Sequence, residues 1–179
     1  MFNLFKKKSE RAKVTDIVFI STAEKHKVML EDWKKDQSIT YIFWFEDSLN
    51  EALSFFSASA AEEITLLLVR QTSSPQLSGK IPVFAEHHPL ETKEQDFYRK
   101  MNMNQVKVYS ALNEPLYKHF GAEKIIDLMR KLGIKENEAI EHKMISSSIK
   151  KAQNEIQKNV VVEQTAHSQS DWLQKNYKP

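Results

Sequence analysis

Short apolar runs alternate with amphipathic stretches along most of the chain. The runs are rich in β-branched and aromatic side chains, and their length is typical of strands that are buried in a sheet. Five strands are predicted on this basis: Asp16–Ile20, Thr40–Phe45, Ile64–Val69, Ile81–Ala85 and Val106–Ser110. Pro82 lacks an amide hydrogen, which places the fourth run at a strand start or at a sheet edge.

Helix signals follow the predicted strands. Ser21–Glu24 and Ser48–Glu51 match the capping box, in which a hydroxyl and a carboxylate satisfy backbone amides at a helix start. Pro89 is expected at the first position of a third helix. Gly121 and Gly133 are expected to end two further helices, because glycine readily adopts the left-handed conformation that terminates a helix. These two helices are predicted over Glu114–Phe120 and Ala122–Leu132.

A last helix is predicted to start near Glu138. Its apolar positions follow one another at intervals of 4, 3 and 4 residues, which places them on one face of a helix. They are Ile145, Ile149, Ala152 and Ile156. The polar segment Gln164–Pro179 is interrupted only by Trp172 and Leu173, so we expect a tail or a loosely docked helix there.

The alternation of strands and helices predicts βαβ units. We therefore expect an α/β fold: an open, mostly parallel sheet of about five strands with helices on both faces and a helical C-terminal extension. The chain is divided into a flexible N-terminal segment (1–13), an α/β domain (14–135), and a C-terminal helix with a polar tail (136–179).

Composition narrows the possible functions. The 179 residues include 26 Lys and Arg against 24 Asp and Glu, and a net charge of +2 does not indicate a nucleic-acid-binding protein. Cysteine is absent, which excludes disulfides, thiolate zinc sites and cysteine nucleophiles. There are only three glycines, and the glycine-rich patterns that bind nucleotide phosphates are missing.

The first residues combine apolar and basic side chains: Phe2, Leu4 and Phe5, then Lys6 and Lys7. A secretory signal has the opposite order and a longer apolar part, so we expect a cytoplasmic protein. One interpretation of this segment is contact with an anionic membrane surface. The other is a frayed terminus.

The densest group of potential metal ligands is Glu86-His87-His88. Adjacent residues on a loop point in different directions and rarely bind one ion. We therefore expect solvated side chains at a helix N-terminus here, and neither a metal nor another cofactor.

A more specific signal lies near the C-terminus. The segment Val108-Tyr109-Ser110-Ala111-Leu112-Asn113-Glu114-Pro115-Leu116-Tyr117-Lys118-His119-Phe120-Gly121 resembles the end of the second nucleotide-binding lobe of SecA, the motor ATPase of bacterial preprotein translocation. The resemblance continues through Ile125–Gly133 and Glu138–Gln153. It is clear over 108–156 and weak over 14–105, and it implies a RecA-like fold of the second-lobe type.

Departures from the SecA pattern bear on function. The glycine-rich loop after the third strand in that family is replaced here by Gln71–Ser74, and the arginine-finger region by Asp96–Asn102. Only Arg99 matches one finger, which leaves it as the one candidate nucleotide-binding residue. Since phosphoryl transfer needs a phosphate cradle, a metal carboxylate and an arginine together, the catalytic motifs are lost and no enzymatic activity is expected.

Three hypotheses remain open. The first is a non-catalytic interaction module related to protein export, with Ile145, Ile149 and Ile156 contacting a SecA-like motor, an export substrate or a second copy of the chain. The second is a weak nucleotide-binding lobe that completes an ATPase with another chain, with Arg99 as the finger. The third is an adaptor at the membrane surface.

Overall fold

The computed structural model describes residues 11–59, 63–131, 133, 135 and 138–178. Five strands form one sheet in which every neighbouring pair is parallel, in the order β1-β5-β4-β2-β3. The strands are β1 (Lys13–Phe19), β2 (Ile39–Phe43), β3 (Thr65–Leu68), β4 (Ile81–Phe84) and β5 (Gln105–Ala111). The predicted α/β class and the predicted strand number are confirmed.

Seven α-helices are present among the described residues. They are α1 (Thr22–Lys35), α2 (Glu46–Ala58), α3 (Glu91–Lys100), α4 (Pro115–His119), α5 (Ala122–Lys131), α6 (Lys143–Asn159) and α7 (Gln169–Asn176). A single 3-10 turn at Val69–Gln71 follows β3.

The two faces of the sheet bury different helices, because successive side chains of a strand point to opposite faces. Tyr41 and Phe43 of β2 pack in one core with α1 and α2. Ile42, between them, packs in a second core with α3. Beside that second core, Val18 of β1 packs against residues from α4, α5 and α6. Helices therefore cover both faces, as the sequence predicts.

The predicted starts of the second and third helices need correction. The Ser21 side chain accepts a hydrogen bond from the Glu24 backbone amide, so the first capping box is confirmed at its serine. Helix α2 instead begins at Glu46 after Phe45, and the Ser48 hydroxyl donates a hydrogen bond to Glu86. Helix α3 follows an extended Leu90, whose side chain is buried, so Pro89 lies before the helix.

Pro82 occupies the second position of β4, an inner strand between β5 and β2. Pairing of β4 with β5 begins only at Val83, so the position without an amide hydrogen lies before that ladder. The alternative placement at a strand start is therefore the correct one, and the sheet edge is excluded.

The outer edge of β1 is covered by the segment that precedes α6. The backbone amide of Val18 donates to the Ile140 carbonyl at 3.1 Å, and the Ile140 amide donates back at 2.8 Å. This pairing holds residues near 140 in an extended conformation, so α6 begins at Lys143 and not near Glu138. It also protects an otherwise unpaired sheet edge.

The polar segment after Gln164 contains a buried helix. Trp172 of α7 is only 1% exposed and packs with Ile156 of α6, Phe45, Leu90 and Leu116. The last three follow β2, β4 and β5, so α7 and the end of α6 cover the carboxyl edge of the sheet. The expectation of a tail or a loosely docked helix is therefore wrong, since one tryptophan supplies enough apolar area to anchor the segment.

Within the described ranges of the structure, every helix is too short or too polar to cross a bilayer.

Candidate functional site

A cleft of about 300 Å³ lies at the carboxyl edge of the sheet. All parallel strands end at this edge, so the first turns of α1 and α2, the loops after β4 and β5, and the start of α7 converge there. The lining residues come from each of these segments: Thr22, Lys25, His26, Asp47, Ser48, Glu51, Glu86, Asn113, Glu114, Pro115, Ser168, Gln169 and Ser170. We call this space the edge cleft.

Glu86 occupies the start of α2 in the way that a bound anion would. One carboxylate oxygen accepts hydrogen bonds from the backbone amides of Trp44 and Phe45, both at 2.9 Å. The other accepts the Ser48 hydroxyl at 2.7 Å. Burial raises the pKa of Glu86 to about 7, against the opposing attraction of Lys25. The amides that could hold a phosphate are therefore occupied by the chain's own carboxyl group.

Lys25 is the buried cation of the edge cleft. Its ammonium donates to one oxygen of Glu114 and to the Ala85 carbonyl, both at 2.6 Å. Burial raises the pKa of Glu114, and Lys25 opposes this effect. The second carboxyl oxygen of Glu114 is buried and has no hydrogen-bond partner in the described part of the chain.

His26 lies beside Lys25 on α1 and contacts the rings of Phe55 and Phe56. Burial, followed by repulsion from Lys25, lowers the pKa of His26 to about 3. The ring is therefore neutral at pH 7 and adds no positive charge to the cleft.

A second buried group lies behind the edge cleft. The His87 ring is held between Glu94, at 2.9 Å from Nδ1, and Asp16, at 3.0 Å from Nε2. Burial is the largest influence and opposes the charged ring, but the two carboxylates outweigh it and raise the pKa of His87 to about 10. His87 is therefore an imidazolium that lies between two buried carboxylates and offsets part of their negative charge.

Glutamine side chains connect this group to the C-terminal helices. The Gln153 amide of α6 donates to the His88 carbonyl at 2.8 Å and to Glu94 at 3.1 Å. The Gln169 amide of α7 donates to the His87 carbonyl at 2.9 Å. Buried polar groups are thus satisfied only when α6 and α7 are in place.

The expectation of solvated side chains at Glu86-His87-His88 is wrong, because all three residues are buried. Each takes part in a different hydrogen-bond network. The Nε2 atom of His88 lies 3.3 Å from a carboxylate oxygen of Glu163. The described residues contain no group of three or more acidic or histidine side chains placed to hold a metal ion.

A second, apolar cleft of about 280 Å³ lies between α4, α5 and α6. Met144 is 72% exposed on its rim, and Phe120 and Ile125 are each 40% exposed. Its lining is apolar except for one serine: Leu112, Leu116, Tyr117, Phe120, Ala122, Ile125, Met144, Ile145, Ser148, Ile149 and Ala152. We call this space the apolar cleft.

Arg99 is placed away from both clefts. It lies near the end of α3, six residues before β5 begins at Gln105, and its exposed side chain pairs with Asp96 at 3.2 Å. The edge cleft lies beyond the other end of β5, and seven strand residues span roughly 20 Å. Arg99 therefore does not line the edge cleft.

The three isoleucines predicted to contact a partner have different surroundings. Ile149 is buried between β1 and the helices α4 and α5, and Ile156 is buried against Trp172. In this fold both contact the chain's own core, and only Ile145 is half-buried at the apolar cleft. The candidate membrane contacts Phe2, Leu4, Phe5, Lys6 and Lys7 lie outside the described residues.

The main charged residues of the edge cleft are not marked by any motif in the sequence. Lys25 reads as one more polar position of an amphipathic helix, and Glu114 as an ordinary residue after a strand. The available signal was their position, since both come within six residues after an apolar strand and the carboxyl ends of parallel strands lie at one edge of the sheet.

The comparisons agree with part of the sequence interpretation. No protein-family model matches the chain. Protein translocase subunit SecA of Syntrophus aciditrophicus is 44% identical over 59 residues, which is 33% of this chain and 7% of that protein. The chain contains a SecA-like region.

Two further relatives carry the same name. SecA of a Psychrobacter species is 37% identical over 59 residues, 33% of this chain and 6% of that protein. SecA of Acinetobacter baylyi is 41% identical over 51 residues, 28% of this chain and 6% of that protein. The chain thus spans less than a tenth of these relatives, and the SecA-like region is a limited part of the chain itself.

Proposed function

We propose that this protein is a non-catalytic, SecA-like interaction module of the cytoplasm that takes part in protein export. Support comes from relatives that are named as subunits of a protein translocase and are 37–44% identical over about a third of the chain or less. The geometry of the edge cleft supports the part of the proposal that this protein is non-catalytic.

The observation that carries the proposal is that the Glu86 carboxyl group binds the backbone amides at the start of α2. A nucleotide at the carboxyl edge of a parallel sheet needs free backbone amides and a free cation for its phosphates. Here Glu86 takes the Trp44 and Phe45 amides, and Glu114 takes the Lys25 ammonium. A triphosphate would have to displace two buried carboxyl groups, which strongly disfavours its binding.

The apolar cleft is the proposed interaction surface. Its lining residues all lie within 108–156, where the resemblance to SecA is clear in the sequence. Exposed side chains such as Met144 and Ile125 form an apolar patch of the kind that marks contact with another protein. We propose the SecA motor of the same cell as the partner.

The alternative of an ATPase completed by a second chain gains no support from the geometry. It needs Arg99 near a phosphate site, whereas Arg99 lies toward the opposite edge of the sheet and pairs with Asp96. No described residue supplies an arginine to the edge cleft.

The proposal is tested by calorimetric titration of the purified chain with SecA from the same organism. Met144→Glu places a charge on the rim of the apolar cleft, and we expect at least a tenfold weaker affinity because the carboxylate would be desolvated on binding. Val161→Glu is the matched control, since Val161 is 95% exposed but does not line the cleft.

Unchanged affinity for the Val161→Glu variant is the other half of the expected result. No measurable binding of SecA by the unmodified chain, or equal affinity of the Met144→Glu variant and the unmodified chain, would contradict the proposal.

A further inference from the structure

The carboxyl groups of the edge cleft exceed the positive charge available to them. Four of them line it, from Asp47, Glu51, Glu86 and Glu114, against the single ammonium of Lys25. His26 is neutral at pH 7, as its lowered pKa shows. Lys25 is already engaged by Glu114, so the cleft retains an excess of acidic groups.

Three of these carboxyl groups retain acceptor capacity. Among the described residues, no hydrogen bond or ion pair engages the side chains of Asp47 and Glu51, which are both exposed at the cleft. Glu114 is the more telling case, because its side chain is only 9% exposed and one of its oxygens has no donor. A buried acceptor without a donor is costly, so this oxygen favours a ligand that brings a hydrogen-bond donor.

The arrangement favours an extended cation over a metal ion. A divalent metal needs several oxygen ligands at 2.0–2.6 Å around one point. No such group of three or more ligands exists among the described residues. An alkylammonium or guanidinium group has several donors and an apolar stem, and a cleft of about 300 Å³ is large enough for such a group.

We propose that the edge cleft binds an organic cation, with an ammonium or guanidinium group donating to Glu114 and facing Asp47 and Glu51. The cation comes either from a small polyamine or from a lysine or arginine side chain of another protein. This site is separate from the apolar cleft, so it stands or fails independently of the proposed contact with SecA.

The test is an NMR titration of the full chain with two probes, spermidine and the peptide acetyl-Lys-Lys-Lys-amide, at constant ionic strength. We expect saturable shifts of backbone amides around Asn113, Ser168 and Ser170 with at least one probe. Tighter binding of the peptide identifies a protein side chain as the source, and tighter binding of spermidine identifies a small molecule. Magnesium chloride at equal ionic strength is expected to leave these amides unshifted.

Two double variants separate a local site from diffuse charge. Asp47→Asn/Glu51→Gln removes two exposed carboxylates from the cleft and is expected to weaken binding about five- to tenfold. Glu31→Gln/Glu141→Gln removes the same charge from exposed positions outside the cleft, and less than a twofold change is expected. These four positions are exposed, so the variants should fold.

Glu114→Gln tests the buried oxygen directly, since its amide group would place a donor where the ligand is expected and abolish binding. Absence of saturable shifts with both probes would overturn the proposal, because the unpaired oxygen of Glu114 would then attract no organic cation. Equal weakening in the two double variants would also overturn it, as would binding of magnesium at these amides.

Discussion

Two groups of buried ionisable side chains, at and behind the carboxyl edge of the sheet, contribute to the stability of this protein. In one group the charged His87 ring is hydrogen-bonded to the carboxylates of Asp16 and Glu94. In the other, the Lys25 ammonium is paired with Glu114. In such pairs the loss of one member leaves an uncompensated charge in a poorly solvated place, which costs far more than loss of a surface ion pair.

His87→Gln is predicted to lower the free energy of unfolding by about 3 kcal/mol or more at pH 7, because Asp16 and Glu94 lose their buried cation. His167→Gln is the control. His167 also pairs with a carboxylate, Glu46, but is exposed, so a loss of no more than about 1 kcal/mol is expected. Urea unfolding followed by circular dichroism measures both.

The pH dependence of stability provides a second readout for His87. Its pKa is raised from 6.5 to about 10 in the folded protein, so its contribution is complete below pH 6.5 and is lost as the pH rises toward 10. The difference in stability between the unmodified chain and the His87→Gln variant should therefore shrink between pH 7 and pH 10. A difference that stays constant over this range would contradict the assignment of an imidazolium.

Helix α7 shows how a short polar segment becomes part of a core. Its side of the interface consists mainly of Trp172 and Leu173, and Gln169 adds hydrogen bonds to the His87 carbonyl and from the Leu116 amide. The Trp172 indole also donates to Glu163 at 2.9 Å. Eight residues with two apolar anchors thus cover the carboxyl ends of three strands.

Trp172→Ala is predicted to lower the free energy of unfolding by about 3–5 kcal/mol, the usual loss when a buried tryptophan is truncated. Val161→Ala, at an exposed position before α7, should change it by no more than about 0.5 kcal/mol. Denaturant unfolding of both variants measures the difference. Equal stability of the two variants would show that α7 is not anchored as described.

The elements were largely predictable from the chain, and the side-chain networks were not. Hydrophobic runs identify all five strands, most clearly β2, in which four of the five residues are buried. Errors arose where a tertiary contact outweighed a local signal. Ser48 carries a capping pattern, yet its hydroxyl binds Glu86, which comes from a different loop.

Long-range polar contacts explain what the sequence could not predict about the site. Lys25 and Glu114 are 89 residues apart, and His87 and Asp16 are 71 apart. Without a known strand order, the positions of Lys25 and Glu114 after strands place them at one edge of the sheet at most, and nothing in the sequence indicates that these side chains meet. The burial of Ile156 against Trp172 could not be predicted either, because the sequence of α7 is mostly polar and is typical of a tail.

At the level of the whole molecule, two clefts with different chemistry belong to one α/β fold. The edge cleft holds carboxyl groups where a nucleotide would need donors, and the apolar cleft is built from the segment that resembles SecA. Together they support our proposal of a module that contacts a motor without being one.

The most direct test of the proposal is methyl NMR of the labelled chain during titration with SecA from the same organism. We predict that the methyl signals of Ile125, Met144 and Ile145 at the apolar cleft shift or broaden, while exposed Ile81 at the other end of the sheet is unaffected. Unchanged signals at these three residues at saturating SecA would contradict the proposed function, as would changes confined to Ile81.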